Sequence, residues 1–132
     1  MEVLEKPAVL LTDAEVLIAI QQSQTIRKAN PSLAMHFKLQ SSDWVSGEVR
    51  RYMNGMPGSV QKPGHIKLFY QRLESSISKA FTVKELIQFV DLRPVTLVEL
   101  HAMIDECEER FTEEEILVLL DIIATTLPDK PR

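Results

Sequence analysis

The sequence predicts an all-α protein, and two observations carry this prediction. A Thr-x-x-Glu pattern flanked by apolar residues occurs four times, and apolar residues recur at helical spacing through the second half of the chain. In each copy the Thr hydroxyl can accept from the third helical amide while the Glu carboxylate reaches back to the cap amide, which is a capping box with a hydrophobic staple. The copies begin at Leu11, Phe81, Val95 and Phe111. Three of them lie within residues 81–116, so this part should be a run of short helices joined by tight corners.

The N-terminal segment, residues 1–11, is apolar and precedes the first cap. Val3 and Leu4 suit a short extended segment, which Pro7 would confine to the edge of a sheet. Because the rest of the chain is predicted to be helical, such a segment would find its partner in the sheet of another protein. The alternative is a frayed terminus, which is common.

Two helices separated by a loop are predicted next. The first runs from Asp13 to about Gln24, and its apolar face is formed by Val16, Leu17 and Ile20. Residues 25–42 are mostly polar and are interpreted as a variable loop. The second helix runs from about Asp43 to Met53, and the Gly-Met-Pro-Gly sequence that follows ends it. Its apolar residues are spaced for burial: Val45, Val49, Tyr52 and Met53.

Four more helices are predicted, over residues 64–79, 83–91, 97–108 and 113–126. The last is apolar almost all round, which predicts burial on more than one side and makes it the expected core of the bundle. The core positions expected in the other three are Ile66, Phe69, Tyr70, Leu73, Ile77, Leu86, Ile87, Val90, Leu97, Leu100, Ile104 and Cys107.

Composition limits the class of protein. A length of 132 residues is that of one domain with a real core. No apolar run approaches the roughly 20 residues that span a bilayer, and the N-terminus lacks the pattern of a signal peptide. The single cysteine, Cys107, excludes an internal disulfide and is interpreted as a small core residue, because no motif surrounds it.

No catalytic, cofactor-binding or metal-binding residue is predicted. Neither a phosphate-binding loop nor a dinucleotide fingerprint occurs. The histidines His36, His65 and His101 have no Cys or carboxylate at metal-ligand spacing, and the acidic residues near the C-terminus lack the glycine-containing loop of an EF-hand. The chain is therefore not expected to be an enzyme, and His101 is interpreted as a histidine on a helix surface.

Charge is distributed unevenly. Residues 49–84 contain seven Lys or Arg against one acid, while residues 105–132 contain nine acids against three bases. One interpretation is a pair of solvated faces that complement each other. The other is a basic surface facing nucleic acid, formed by Arg50, Arg51, Lys62, Lys67 and Arg72.

Two stretches resemble a known family. The N-terminal MEVLEKPAVLLTDAEVL and the C-terminal RPVTLVELHAMIDECEERFTEEEILVLLDIIATTLP are similar to the smaller stalk subunit of eukaryotic RNA polymerase III. Animal members are also called the calcitonin gene-related peptide receptor component, and the archaeal RNA polymerase F subunit is related. The similarity is weak over residues 21–62, and the RPVT and EERFT pieces are the most distinctive.

The resemblance implies a fold and partners. Residues 63–128 should form an HRDC-like helical domain, of the kind found at the C-terminus of RecQ-type helicases and ribonuclease D. Residues 25–62 should be a variable loop and linker helix, and residues 1–24 should dock on the larger, OB-fold stalk subunit. The residues expected in that contact are Val3, Leu4, Val9, Leu10, Val16, Leu17 and Ile20.

The implied function is that of a non-catalytic stalk subunit in the nucleus. It would contact the polymerase III core and its initiation factor, and support initiation at tRNA, 5S rRNA and other small RNA genes. Weak RNA contact, no cofactor and no membrane are expected. The alternatives are a stand-alone helical nucleic-acid-binding module, a receptor-coupling role at a membrane and, last, an independent enzyme.

Overall fold

The computed structural model describes residues 9–36 and 39–131, and the secondary structure in these ranges is entirely helical. The prediction of an all-α protein is confirmed. A short 3-10 turn at Pro57–Ser59 separates the third and fourth helices. The α-helices, in chain order, are α1 (Asp13–Ala29), α2 (Pro31–His36), α3 (Gln40–Met53), α4 (Pro63–Ser76), α5 (Val83–Leu92), α6 (Leu97–Met103), α7 (Cys107–Arg110) and α8 (Glu113–Thr126).

The four predicted caps are present at the starts of α1, α5, α6 and α8. Complete capping boxes form at Thr12, Thr82 and Thr96. At Thr112 the hydroxyl accepts from the Glu115 amide at 3.2 Å, but the Glu115 carboxylate accepts from Lys79 at 2.8 Å and not from the cap amide. The helix starts are therefore fixed by local hydrogen bonds that the sequence encodes.

The hydrophobic core lies between α4 and α8, which make the most extensive helix–helix contact, with α6 packed against α8. Phe69 from α4, Leu100 from α6 and Leu119 from α8 are fully buried at its centre. Cys107 is buried in the same cluster, which confirms its interpretation as a core residue.

Helix α8 is not buried on every side. Ile116, Leu119 and Ile123 face the core, but Leu117 and Val118 are 47% and 42% exposed. The expectation of burial on more than one side is wrong, because the helix packs on α4 and α6 through one face and leaves the other exposed. The core face of α8 includes these three buried residues, which recur at helical spacing.

The helix predicted over residues 97–108 is broken in two. α6 ends at Met103, and Glu106 then adopts a left-handed conformation with φ of 52° before α7 begins. Such a conformation costs free energy in a residue other than glycine, so other contacts must hold it. The side chain of Arg110 supplies one of them, because its Nη1 donates to the Asp105 carbonyl at 2.9 Å.

The loop predicted over residues 25–42 is mostly helical. α1 continues to Ala29, and the Asn30 side chain closes it by donating to the Ile26 carbonyl at 3.2 Å. After α2 the chain enters α3 at Gln40, and Arg27 pairs with Asp43 across α1 and α3. Polar side chains do not prevent a helix, and an ion pair between two helices leaves no apolar periodicity in the sequence that could have revealed it.

One ion pair ties α5 to α7. Arg110 donates from Nη1 and Nη2 to the two carboxylate oxygens of Glu85, at 2.6 and 3.1 Å. The Glu85 side chain is buried and also caps α5 by accepting from the Thr82 amide at 2.9 Å. Burial alone would raise the pKa of Glu85, but the hydrogen bonds from Arg110 and Thr82 outweigh it and lower the pKa.

We expect Leu119→Ala to destabilise the chain by about 2–5 kcal/mol, because it removes a fully buried side chain from the core between α4 and α8. Leu117→Ala on the exposed side of the same helix should cost about 0.5 kcal/mol or less. Urea titration of the full chain measures both. An equal cost for the two variants would contradict the assignment of the core face.

We expect Glu85→Gln to lower the melting temperature by several degrees more than Glu99→Gln, which alters the same position of an exposed capping box that has no arginine partner. Because the pKa of Glu85 is lowered in the folded state, its contribution is present above the ordinary value of 4.5 and is lost as pH falls below it. Thermal melts from pH 3 to 7 measure this. A Glu85→Gln deficit that stays constant below pH 4 would show that ionisation is not involved.

Candidate partner interface

The N-terminal residues that were predicted to contact a partner lead directly into α1. Val3 and Leu4 lie outside the described residues. Val9 and Leu10 are both exposed, and so is Leu11, which follows them. This short apolar run therefore remains available to another protein, and its role as a contact stays a prediction.

The predicted contact face of α1 is partly used within the chain. Leu17 is buried, and α1 packs against the 3-10 turn at Pro57–Ser59. A Cβ atom at Gly58 would lie 3.0 Å from the Ala14 amide nitrogen, so a residue without a side chain permits this close approach. Val16 and Ile20 are half-buried. Only these two could still share their surface with a partner.

A hydrogen bond at its first residue holds α1 on the bundle. The Asp13 amide donates to the Asp91 carboxylate at the end of α5, at 2.8 Å. Burial raises the pKa of Asp91 to about 6, and the negative charges of Asp13 and Glu15 add to the effect. The attachment of α1 thus depends on a carboxyl group that titrates near neutral pH.

An exposed apolar face on α3 was missed by sequence reasoning. Its members follow helical spacing, and Met53 is the one apolar residue of this helix that is buried. The predicted burial of the others is wrong, because α1 packs on a different side of α3 through the Arg27–Asp43 pair and the bond from Arg50 to Gln24. We call the exposed set the α3 apolar face: Trp44 (69% exposed), Val45 (52%), Val49 (36%) and Tyr52 (72%).

This face has the character of a protein contact. Large contiguous apolar surface is uncommon on a monomeric protein, and Trp and Tyr are enriched where proteins meet. The sequence shows Trp44 and Tyr52 about two turns apart on one predicted helix, but it does not show that they are exposed.

The basic residues predicted to face nucleic acid lie on α3 and at or within α4, and their described contacts are separate from one another. On α3, Arg50 donates to Gln24 at 2.9 Å and Arg51 pairs with Glu48 at 2.8 Å. On α4, Arg72 donates to Thr125 of α8 at 3.3 Å, a weak contact. Lys62 and Lys67 are exposed at the start of α4, and Lys67 lies beside Glu74 in a shallow hollow. The described contacts therefore do not assemble the five into one surface, and their role stays a prediction.

Charge complementarity within the chain is partly realised. Lys79 of the basic region donates to Glu115 of the acidic region at 2.8 Å. This pair joins the end of α4 to the start of α8, as the first interpretation of the charge pattern expected.

The described residues provide few side chains suited to metal binding or nucleophilic catalysis. No group of three or more His, Cys, Asp or Glu among them could hold a metal ion. Burial raises the pKa of the Cys107 thiol, which makes it less reactive. His101 is exposed on α6, as predicted. Over the same part of the chain, no helix has the length and apolar character needed to cross a membrane.

Comparison with known proteins identifies the family. Residues 10–127 match the family described as RNA polymerase Rpb4. The chain belongs to the RNA polymerase Rpb4 family. It is also 28% identical over 133 aligned positions to the Schizosaccharomyces pombe protein described as DNA-directed RNA polymerase III subunit rpc9, covering 97% of this chain and 100% of that protein. The resemblance read from the two terminal stretches is confirmed, and as a member of the Rpb4 family the chain associates with an RNA polymerase complex.

We expect Asp91→Asn to keep the bond to the Asp13 amide while removing the ionisation. Because the pKa of Asp91 is raised in the folded state, its contribution is fully present below 3.8 and is lost as pH rises through about 6. The stability of the variant relative to the parent should therefore rise by about 1 kcal/mol between pH 4 and 7.5, allowing for solvent screening at a half-exposed carboxyl. Denaturant titrations at both pH values test it. A difference that does not change with pH would contradict the assignment.

We expect the basic residues to contribute little to RNA affinity. Charge without an aromatic ladder gives binding that ignores sequence and weakens steeply with salt. In a complex with the larger stalk subunit, the triple change Lys62→Ala, Lys67→Ala and Arg72→Ala should reduce RNA affinity about tenfold or less, mostly at low salt. Fluorescence anisotropy at two salt concentrations measures this. Loss of all binding at physiological salt would favour the stand-alone nucleic-acid-binding module.

Proposed function

We propose that this chain is the smaller stalk subunit of RNA polymerase III and contributes no catalytic residue to the enzyme. Membership in the Rpb4 family and the end-to-end similarity to a polymerase III subunit support the assignment. The proposed site of action is the nucleus, where the subunit supports initiation at tRNA, 5S rRNA and other small RNA genes through the polymerase core and its initiation factor.

The observation that carries a docking role is the apolar surface that the chain leaves uncovered. Val9 and Leu10 lead into α1, and the α3 apolar face lies on the helix that pairs with α1 through Arg27 and Asp43. We propose that both regions bind the larger, OB-fold stalk subunit. Covering them would remove aromatic and aliphatic side chains from water, which is the main favourable term in most protein association.

We propose that the chain has a docking part and a helical core part, which are distinguished by where its apolar surface is exposed or buried. Residues 1–24, with α3 added, form the docking part, while residues 63–128, from α4 to α8, form the HRDC-like unit with the buried core. In this scheme the rest of residues 25–62, which includes α2 and the 3-10 turn, connects the two parts.

We expect the chain alone to aggregate at high concentration, and co-expression with the larger stalk subunit to raise its soluble yield. The pair Val45→Asp and Tyr52→Asp should abolish co-purification or weaken it at least tenfold, because it places charge in a desolvated contact. Val98→Asp on α6 is the control, since Val98 is also an exposed apolar residue but lies outside the proposed interface.

Affinity co-purification followed by gel filtration provides the measurement. A monodisperse monomer that melts cooperatively and does not change on mixing with the larger subunit would contradict the proposed function. Equal loss of binding in the control would show that any added charge disrupts the chain, and would contradict the placement of the interface on α3.

A further inference from the structure

A groove of about 600 Å³ opens between α4 and α5, on a different part of the chain from the α3 apolar face. Its apolar floor contains aliphatic side chains from both helices, the rings of Tyr70 and Phe81, and Leu10 from the segment before α1. Three of these, Ile66, Leu73 and Ile77, are also members of the hydrophobic core and are nearly fully buried. The floor is therefore held in place by the core of the protein, and the groove exists before anything binds.

The polar rim of this groove is acidic. Glu15 and Glu74 line it, and the Glu74 carboxylate forms neither an ion pair nor a hydrogen bond within residues 9–36 and 39–131. One oxygen of Glu15 accepts from the Thr12 amide at 2.7 Å, yet no cation pairs with this carboxylate in the described part of the chain. The cation on the rim, Lys79, is already paired with Glu115 at 2.8 Å. The uncompensated charge facing an occupant is thus negative.

Lys67 is the other cation near the groove, and it could neutralise Glu15 or Glu74 if it paired with them. It shares an adjoining shallow hollow with Glu15 and Glu74, but it does not line the groove itself. Its Nζ makes no ion pair with either carboxylate among the described residues. The side of Glu74 that faces the groove is therefore open to a charge supplied from outside.

We propose that this groove binds an amphipathic helical segment of another protein, with aliphatic or aromatic anchors at helical spacing and a Lys or Arg beside Glu74. An apolar floor with a charged rim is the surface that such helices use, and anchors at i, i+3 or i+4 and i+7 would lie along it. Nucleic acid does not fit, because its phosphates would face two carboxylates. The groove is separate from the α3 apolar face, although Leu10 belongs both to the groove and to the N-terminal run proposed to bind the larger stalk subunit.

The test places a photoreactive benzophenone amino acid at Ile87, on the groove, in the chain assembled into the polymerase. The matched control carries the same amino acid at Val98 of α6, which is exposed and does not line the groove. Cross-linked peptides are sequenced by mass spectrometry. The expected result is one segment, specific to the Ile87 position, that contains apolar residues at helical spacing and a basic residue within one turn of them.

Charge reversal at Glu74 then tests whether its carboxylate recognises the basic residue of the bound segment. Glu74→Lys should reduce the cross-link yield on the order of tenfold, Glu74→Gln should reduce it less, and changing the basic residue of the captured segment to Glu should restore the yield with Glu74→Lys. Glu74 is exposed, so melting temperatures should be unchanged, which separates the effect from unfolding.

Four results would overturn the inference. They are a cross-link to residues 1–8 of the same chain, a cross-link to a second copy of it, a cross-link to RNA, and a yield at Ile87 no higher than at Val98. A captured segment that lacks a basic residue, or one that ignores Glu74→Lys, would also overturn it. Because the assay reads the groove and not the α3 apolar face, failure here leaves the co-purification result of the stalk heterodimer unaffected.

Discussion

The pairing of Arg110 with Glu85 is the contact on which the C-terminal helices depend. It satisfies a buried carboxylate that also caps α5, and the same guanidinium reaches the carbonyl groups of Asp105 and Ala80 at 2.9 and 3.3 Å. The next residue, Phe111, stacks on Phe81 with ring centroids 4.6 Å apart. This corner, formed by Arg110, Glu85 and the two stacked rings, therefore joins the segment before α5 to the residues between α6 and α8. A lone buried carboxylate would be costly, so this corner has to form as a unit.

A second arginine, at the C-terminal end of α5, also joins separate parts of the fold through its guanidinium. Arg93 has φ of 43° and a buried side chain, and its guanidinium donates to the Leu127 carbonyl at 3.2 and 3.3 Å and to Asp129 at 2.9 Å. It thereby satisfies a carbonyl just after α8, where helical partners are missing. The two most distinctive sequence pieces, RPVT and EERFT, each contain one of these arginines. The residues that carry the family resemblance are thus largely those that hold the corners of the fold.

Local signals predicted far more of this chain than long-range ones. The bounds of α8 were predicted as they occur, because Thr112 and the apolar run define both ends without reference to the rest of the protein. The helical spacing of Val45, Val49 and Tyr52 was read correctly, but periodicity reports that a face is apolar and does not say what covers it. The break after Met103 could not be predicted either, since it depends on Arg110 meeting a carboxylate 25 residues away in sequence. For the candidate interface, the N-terminal residues were visible in the sequence, whereas the α3 apolar face needed the position of α1.

The distribution of charge favours contacts with proteins over the recognition of nucleic acid. Within the basic region of residues 49–84, Lys79 is paired with Glu115 and Arg51 with Glu48, so two of its seven cations form ion pairs inside the chain. The apolar surfaces, in contrast, have no partner within the described residues. The α3 apolar face and the floor of the groove are shaped by the fold, yet they are open to water. Exposed aromatic and aliphatic area lowers solubility and is favourable only when another protein covers it. The surface of this chain is accordingly suited to holding other proteins in place, and any contact with RNA would add to an assembly that protein contacts have already positioned.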